Sequence, residues 1–359
     1  MAAVEVAEQQ LLSAARRGDE SAFGALVGPH ERRLRAHCYR MLGSVHDAED
    51  AVQETLLRAW RALDRFEHRS SVHTWLDAIS SNVCVRMLER RPARLLPLDA
   101  TPAAALGEEP GRPLAEAVWV EACPTGLLDL EDASPEARYS RRESVELAFV
   151  AALQHLPPLQ RAALILRDVL AYSARETATI LDTSVPAANS ALQRARKTLD
   201  ERRPAVSQEQ TLRAMGDNQV DALVARYAQA MEEGDVAMVV GLLTENAAWS
   251  MPPDSTWYRG EALVAFLREW PLRLRWRHTP TTVNGQPAVL CYLWDANSNV
   301  FAAHALDVLT LDGERIAEVT AFKALTVIER LGLPLVAGET EWRGSWPFKS
   351  GSQIWAEVG

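Results

Sequence analysis

Along residues 10–96 apolar side chains recur three and four positions apart, the spacing of helices that hide one stripe each. Breaks at GSVHD (43–47) and EHRSS (67–71) divide this stretch into a bundle of three or four helices. In DAEDAVQETLLRAWRALDRF (47–66), Ala48, Ala51, Val52, Thr55, Ala59, Leu63 and Phe66 are predicted to face inward, and Asp47, Asp50, Gln53, Glu54, Leu57, Arg58 and Arg61 outward. The period lapses from Leu96 to about Arg138, where Pro, Gly, Ala and acid dominate; this reads as a linker with one short ordered piece around AEAVWVEA. Helical spacing resumes over 141–203, with breaks at LPP (156–158), AYS (171–173) and DTSV (182–185). Beyond residue 217 come two helices, a strand ending at Met251-Pro252-Pro253, and a helix in YRGEALVAFLREW. Period-two alternation then predicts strands around 271–283, 287–295, 300–311 and 314–324, with hairpin turns at Asn284-Gly285 and Asp312-Gly313.

A length of 359 residues at 48% hydrophobic content suits two or three domains, and a net charge of −10 argues against a chain that coats nucleic acid along its whole surface. The acid is concentrated in residues 97–149 and 204–359, so any nucleic-acid footprint is local, on faces of the first and third segments. No apolar run reaches the roughly 18 residues of a membrane span, and MAAVEVAEQQLLSAARRGDE lacks the basic-then-apolar plan of a signal peptide, so a cytoplasmic protein without membrane contact is expected. Cys38, Cys84, Cys123 and Cys291 are scattered, which predicts reduced, buried thiols rather than disulfides or a zinc site; no metal or cofactor is expected.

One basic helix stands out against this acid. In SARETATILDTSVPAANSALQRARKTL (173–199), Ser173 and Glu176 have capping-box spacing, Thr183 or Ser184 can cap a second helix, and Pro186 falls in its first turn. Ala188, Ala191, Leu192, Ala195 and Leu199 share one face of that helix; Pro186, Ser190, Gln193, Arg194 and Lys197 share the other, flanked by Asn189 and Arg196. Two helices joined by a tight turn, the second with small polar groups early and cations late, suit entry into a DNA major groove. The plainer alternative is a surface helical hairpin with a solvated charged face.

The stretch resembles region 4 of bacterial RNA polymerase sigma factors of the extracytoplasmic-function group, in which LPPLQRAALILRD precedes the motif and a run like LQRARKTL ends it. The amino-terminal bundle is similar to sigma region 2. The resemblance implies that Asp47, Asp50, Gln53, Glu54, Leu57 and Arg58 dock on the β′ clamp helices of the core enzyme, with the β flap as a further core contact. RSSVHTWLDAISSNVCVRMLERR (69–91) resembles the family's loop and helix for unstacked bases of the −10 promoter element. That task needs amide or aromatic groups and backbone-tracking cations. The resemblance assigns it to His68, Arg69, Ser70, Ser71, Trp75 and Asn82, with Arg86, Arg90 and Arg91 for phosphates; the plainer place for Trp75 is the core. The family commonly has basic residues at the positions of Ala78 and Ser81, and Asp77 adds a nearby negative charge. The −35 element falls to Pro186, Asn189, Ser190, Gln193, Arg194, Arg196 and Lys197. Each module has few spare cations, so tethering to core polymerase is expected to supply what phosphate neutralisation alone does not.

The order of elements after 217 resembles SnoaL-like polyketide cyclases of the cone-shaped α+β fold. A curved sheet with helices then encloses a pocket, for which Trp249, Met251, Trp257, Tyr258, Trp294 and His304 are the candidate lining, with Trp270, Trp276, Phe301, His278 and Asp307 beside them. The expected fold class is multidomain: two all-α domains, a helical bundle (8–95) and a helix-turn-helix (139–203), joined by an acidic linker (96–138). An α+β cone-fold domain (215–334) and a tail (335–359) follow. The expected function is a sigma factor, not an enzyme, whose SnoaL-like domain regulates activity in cis; its partners are core RNA polymerase and promoter DNA. A separate anti-sigma protein and a small-molecule ligand of the last domain stay open. The alternatives are a SnoaL-type cyclase or hydrolase, with His304 or Asp254 as acid or base, and a ligand-responsive helix-turn-helix regulator acting without polymerase.

Overall fold

The computed structural model describes residues 2–67, 70–111, 119–127, 143–202, 206–323, 328–329 and 334–337. Two compact units emerge, one helical and one built on a sheet.

The helical unit begins with α1 (Ala2–Arg16), α2 (Glu20–Val27), α3 (Glu31–Leu42), α4 (Val45–Ala62) and α5 (Val72–Leu88). The side chain of Asp19 caps α2, Ser44 caps α4 and Ser71 caps α5, each accepting a hydrogen bond from a first-turn backbone N–H. Helix α3 stops at Gly43, whose φ of +65° is the left-handed cap that glycine adopts without strain. Alanines 48, 51 and 59 give α4 a slim buried face against α3 and α5, whose Leu34, Tyr39, Met41, Leu76 and Cys84 fill the interior. Full burial of a leucine-sized side chain contributes about 1.5–3 kcal/mol, so this seam carries much of the unit's stability.

The same unit contains α7 (Leu147–Gln154) apart from its first residue, which belongs to the sheet unit, and α8 (Pro158–Leu164), α9 (Ala174–Ile180) and α10 (Val185–Asp200). Between α8 and α9, Ile165–Val169 widen into one π-turn closed by Leu170 N–H to Ile165 O at 2.9 Å. Arg161 of α8 is 2% exposed, and its guanidinium donates to backbone carbonyls of Met41, Gln154 and Leu156 and to the Gln154 side chain, tying α3, α7 and α8 together.

In the sheet unit, α6 (Pro97–Ala100) lies in the stretch read as linker, and α11 (Gln208–Met215), α12 (Asp217–Glu233) and α13 (Val236–Leu242) precede the first strand. The strands are β1 (Leu243–Ser250), β2 (Trp257–Arg259), β3 (Trp276–Val283), β4 (Gln286–Asp295), β5 (Val300–Asp312), β6 (Arg315–Phe322) and β7 (Val336–Ala337), with α14 (Gly260–Glu269) after β2. Their order is β2-β1-β6-β5-β4-β3, with β7 on β5; β1 and β6 run parallel and the other pairs antiparallel. Asn284 and Gly285 both take positive φ, which is the two-residue turn whose twist matches a hairpin. Opposite the step from Cys291 to Tyr292, His304 is an extra residue on β5: Cys291 faces Ala305 and Tyr292 faces Ala303.

The described part of the segment read as linker packs within the sheet unit. Ala104 N–H donates to Trp257 O at 2.8 Å, Thr101 Oγ1 to Ser255 O at 2.6 Å and Gly111 N–H to Thr256 Oγ1 at 2.8 Å. Of the AEAVWVEA piece, Trp119 and Val120 are buried and Trp119 bridges to Leu95; the residues just before them lie outside the described set. The expected tail is described only at 335–337. Among the described residues no helix is long and apolar enough to cross a membrane, and no cluster of His, Cys, Asp or Glu is spaced to hold a metal ion. The four cysteines are free and buried.

Candidate functional site

Helix α10 presents its reading face through a local capping pattern. Ser173 and Glu176 close a reciprocal capping box on α9, the turn passes through Asp182 at φ +48°, and Ser184, not Thr183, caps α10 by accepting from Ala187 N–H at 3.3 Å. Ala188, Ala191, Leu192, Ala195 and Leu199 are buried, whereas Pro186, Asn189, Ser190, Gln193, Arg194 and Lys197 are exposed on the opposite side. Arg196 is exposed too, but its fork is engaged by Asp168 of the π-turn at 2.9 and 2.6 Å. That pair orients α10, so Arg196 is a brace as it stands.

Helix α5 carries the other expected DNA-facing group. Asn82 is half-buried, and its amide donates to Ala78 O at 2.8 Å and to Ile180 O of α9 at 3.0 Å. Arg86, Arg90 and Ser70 are exposed, and Ser71 serves as the α5 cap; His68 and Arg69 lie outside the described residues. Trp75 stacks on Phe66 with ring centroids 4.6 Å apart. Asp77, expected to add a negative charge beside this helix, is buried and paired instead. It is 1% exposed, receives Arg33 Nη2 at 2.5 Å and the Tyr172 hydroxyl at 2.6 Å, and burial raises its pKa against the pull of both partners. Ser81 is likewise buried, 3.0 Å from His37 Nε2; burial, with Arg40 and Arg33 nearby, pushes the His37 pKa down to about 3.

On α4, Asp50, Gln53 and Leu57 are exposed, and Glu54 and Arg58 pair at 2.6 Å one turn apart. Asp47 corrects the sequence expectation: it is 3% exposed and accepts from Arg91, which is thereby turned from a phosphate candidate into a partner of the helix start. Helical period alone placed Asp47 outward; a cation 44 residues away along the chain covers it.

The sheet unit contains a cavity of ≈ 290 Å³. Trp249, Met251 and His304 line it as expected, together with Trp270, Trp276, His278 and Asp307. The bulge on β5 accounts for His304, because an extra residue re-aims the side chains around it. Four candidates, Trp257, Tyr258, Trp294 and Phe301, lie elsewhere. Tyr258 stacks on Phe266 at 4.3 Å and donates its hydroxyl to Glu108 O, and Trp257 donates Nε1 to Thr101 O at 2.8 Å. Trp294 packs on Phe301 and under the Arg275 guanidinium on the other side of the sheet, since alternation on β4 sends Cys291 and Leu293 one way and Tyr292 and Trp294 the other. Sequence reasoning missed Cys291, Lys323 and Pro110 in the lining, the last supplied by the segment read as linker.

Polar groups in the cavity divide into satisfied and unsatisfied. Asp307 accepts from the Tyr227 hydroxyl at 2.7 Å, and burial raises its pKa to about 6 although Tyr227 and Cys291 act to lower it. Asp254, considered as an acid or base, is 5% exposed and paired with Lys323 at 2.5 Å. His278 is 0% exposed with its pKa pushed down to about 3 by burial, and neither ring nitrogen has a hydrogen-bond partner among the described residues.

Family models match the chain in three places: Sigma-70 region 2 over residues 26–93, Sigma-70 region 4 over 146–199 and a SnoaL-like domain over 224–319. The chain is 42% identical over 333 residues to the ECF RNA polymerase sigma factor SigG of Mycobacterium tuberculosis, covering 89% of this chain and 85% of that one. It is 31% identical over 193 residues to the RNA polymerase sigma-H factor of Pseudomonas aeruginosa, covering 54% of this chain and 92% of the relative. In fold it is similar to the crystal structure of the extracytoplasmic function sigma factor SigJ of Mycobacterium tuberculosis. That match has a TM-score of 0.51 at 23% identity, over 85% of this chain and 96% of the other.

Proposed function

Because this chain belongs to the extracytoplasmic-function RNA polymerase sigma factors, we propose that it binds core polymerase through the outer face of α4 and reads promoter DNA through α5 and α10. The observation that carries this reading is the exposed face of α10. Asn189, Ser190 and Gln193 offer donors and acceptors to base edges near the start of a capped helix, and Arg194 and Lys197 follow as cations for base or phosphate. On α5, Asn82 has its amide N–H groups committed to Ala78 O and Ile180 O and keeps its amide oxygen for an unstacked base of the −10 element, with Arg86 and Arg90 along the strand path. Asp50, Gln53, Glu54, Leu57 and Arg58 form the core-docking face, where an outward leucine among charges suits a protein partner. The protein works where the polymerase does, in the cytoplasm.

The SnoaL-like unit is read as a regulator of sigma activity in cis rather than as a catalyst. Of the two acid or base candidates, Asp254 is engaged by Lys323 at 2.5 Å, and no second group is placed to act with His304 as an acid–base pair among the hydrogen bonds of the described residues.

In vitro transcription with core polymerase tests the reading. Arg194→Ala is expected to lower initiation at −35-dependent promoters by about 5- to 150-fold, the loss of one base contact worth about 1–3 kcal/mol. Core affinity is expected to stay unchanged. If Arg194→Ala abolishes core binding instead, α10 has been assigned the wrong partner.

A further inference from the structure

We infer that the acidic start of the tail, Glu339 with Glu341, docks on the face of the sheet turned away from the cavity, against the Arg275 and Arg277 guanidiniums. Residues 204–359 hold 12 cations against 19 acids, yet four of those cations fall between Arg268 and Arg277. In the run PLRLRWRH (271–278), alternation sends Trp276 and His278 into the cavity lining and Arg275 and Arg277 to the other face. There the Arg275 Cζ lies 4.3 Å from the Trp294 ring centroid and 5.3 Å from that of Phe301, and the Arg277 Cζ lies 5.0 Å from that of Phe301. Aromatic rings engage the face of a guanidinium, and its N–H edge is what forks a carboxylate.

Register decides which carboxylate arrives. Trp294 N–H donates to Arg275 O at 3.0 Å, Trp294 pairs with Phe301, and Phe301 pairs with Ala337. Arg275, Trp294, Phe301 and Ala337 therefore stand in one row across β3, β4, β5 and β7, and residues in such a row share a face. The approach of the chain is fixed too: the Tyr292 hydroxyl donates to Pro334 O at 2.9 Å, and Ala303 N–H donates to Leu335 O at 2.9 Å. From Leu335 the sequence reads LVAGETE. Its odd positions are Leu335, Ala337, Glu339 and Glu341, so a chain that keeps the period of two beyond Ala337 turns both acids, and not Gly338 or Thr340, toward the arginines.

Glu339 then stands about 7 Å along the strand from Ala337, within the joint reach of two long side chains, its own and that of Arg275. Arg277 is also within electrostatic reach of Glu232 on α12, so the assignment falls first on Arg275. A second copy of the chain, or a separate acidic partner, would compete with a segment already tethered at this spot, whose effective concentration is high. The inference stands apart from the transcriptional reading, and loss of either leaves the other intact.

The test is chymotrypsin cleavage after Trp342 in the full-length protein, read by intact mass. A docked segment is cut only from its open form, so the rate follows the open population. The reference is a synthetic peptide of residues 336–350, and the full-length chain is expected to be cut at least about 10-fold more slowly than the peptide. Arg275→Glu and Glu339→Arg are each expected to speed cleavage of the full chain by about 3- to 10-fold, through loss of an exposed ion pair and gain of a like-charge contact. Combining the two restores the opposite charges and is expected to return the rate to within about 2-fold of the parent. Salt at about 0.5 M is expected to lessen the protection relative to the peptide. Cleavage of the unaltered chain at the peptide's rate overturns the inference, as do single variants that leave the rate unchanged. Protection that grows with protein concentration assigns the acids to a second copy and overturns docking within one chain. Should Arg275→Glu disturb the fold, Glu339→Arg, confined to the tail, still decides.

Discussion

Replacing Arg161 by Met removes the strut at the centre of the helical unit while keeping an unbranched apolar stem of similar length. Three backbone carbonyls lose their charged donor: Met41 O at the end of α3, Gln154 O at the end of α7, 2.9 Å from Nη2, and Leu156 O in the turn that follows, 3.1 Å from Nη2. These are helix-terminal acceptors with no next turn to satisfy them. The Gln154 side chain, 2.6 Å from Nη1, loses its partner as well. Burial also works against the guanidinium, bringing its pKa down to about 10, so removing the ion returns part of the gross bond energy. Counting about 1 kcal/mol for each backbone acceptor left unpaired, the expected net loss is about 3 kcal/mol. For a unit of this size that lowers the melting temperature by about 6–12 °C, read by far-ultraviolet circular dichroism. Arg161→Lys keeps the charge but not the fork and is expected to lose roughly half as much. A melting temperature for Arg161→Met within about 2 °C of the parent refutes the reasoning, because the carbonyls would then be satisfied without the guanidinium.

Gly43→Ala is expected to destabilise by about 1–2 kcal/mol in urea unfolding, since it forces an alanine to φ +65° with its Cβ 2.9 Å from Gln154 Cδ; an unchanged midpoint contradicts this. Tyr172→Phe removes the hydroxyl that donates to buried Asp77, and hydrogen exchange in α5 is expected to speed up by an amount equivalent to about 1.5–3 kcal/mol; unaltered exchange argues that Arg33 suffices. Burial holds the His278 pKa at about 3, below its unfolded value, so the unfolded chain takes up the proton first and the neutral ring's contribution is lost as pH falls below about 6.5. Asp307, raised to about 6, acts in the opposite sense, favouring the fold as pH falls from about 6 toward 4. His278→Leu is therefore expected to abolish about 2 kcal/mol of the stability lost between about pH 7 and 5, and urea melts with the parent's pH slope would rule that out.

Where local chemistry decides, the sequence was readable. Ser173 and Glu176 close the box their spacing promised, Asn284-Gly285 makes its turn, and the alanine face of α10 is buried as its period requires. Strand limits were close for β4 to β6, because alternation and turn residues both mark them, whereas β3 starts at Trp276, after a short turn at Pro271–Arg273 that the alternation had taken for strand. What failed was decided by distant partners. Asp47 reads as surface on a helical wheel, yet Arg91 pairs with it; Asp77 reads as a negative charge beside the −10 helix, yet it is buried, with Arg33 as its counter-charge and the Tyr172 hydroxyl donating to it. Trp257, Tyr258 and Trp294 are as aromatic as Trp249, and only strand pleat and neighbouring backbone decide which of them meets the cavity. His304 entered the lining through a bulge that no residue type announces. The segment read as linker lacks any period because much of its attachment is made by backbone groups, such as Ala104 N–H and Gly111 N–H, which are the same in every sequence.

That attachment bears on how the protein can be taken apart. Ala104 N–H is bonded to Trp257, Thr101 to Ser255, Cys123 N–H to the Asn284 side chain at 2.8 Å, and Leu147 N–H to Gln286 at 2.7 Å. A shortened chain ending near residue 205 would strip acceptors from positions scattered between 101 and 147 and convert an anchored stretch into a loose tether. Comparing such a fragment with the intact polypeptide therefore measures two changes at once, and single-residue edits inside the sheet unit are the cleaner instrument.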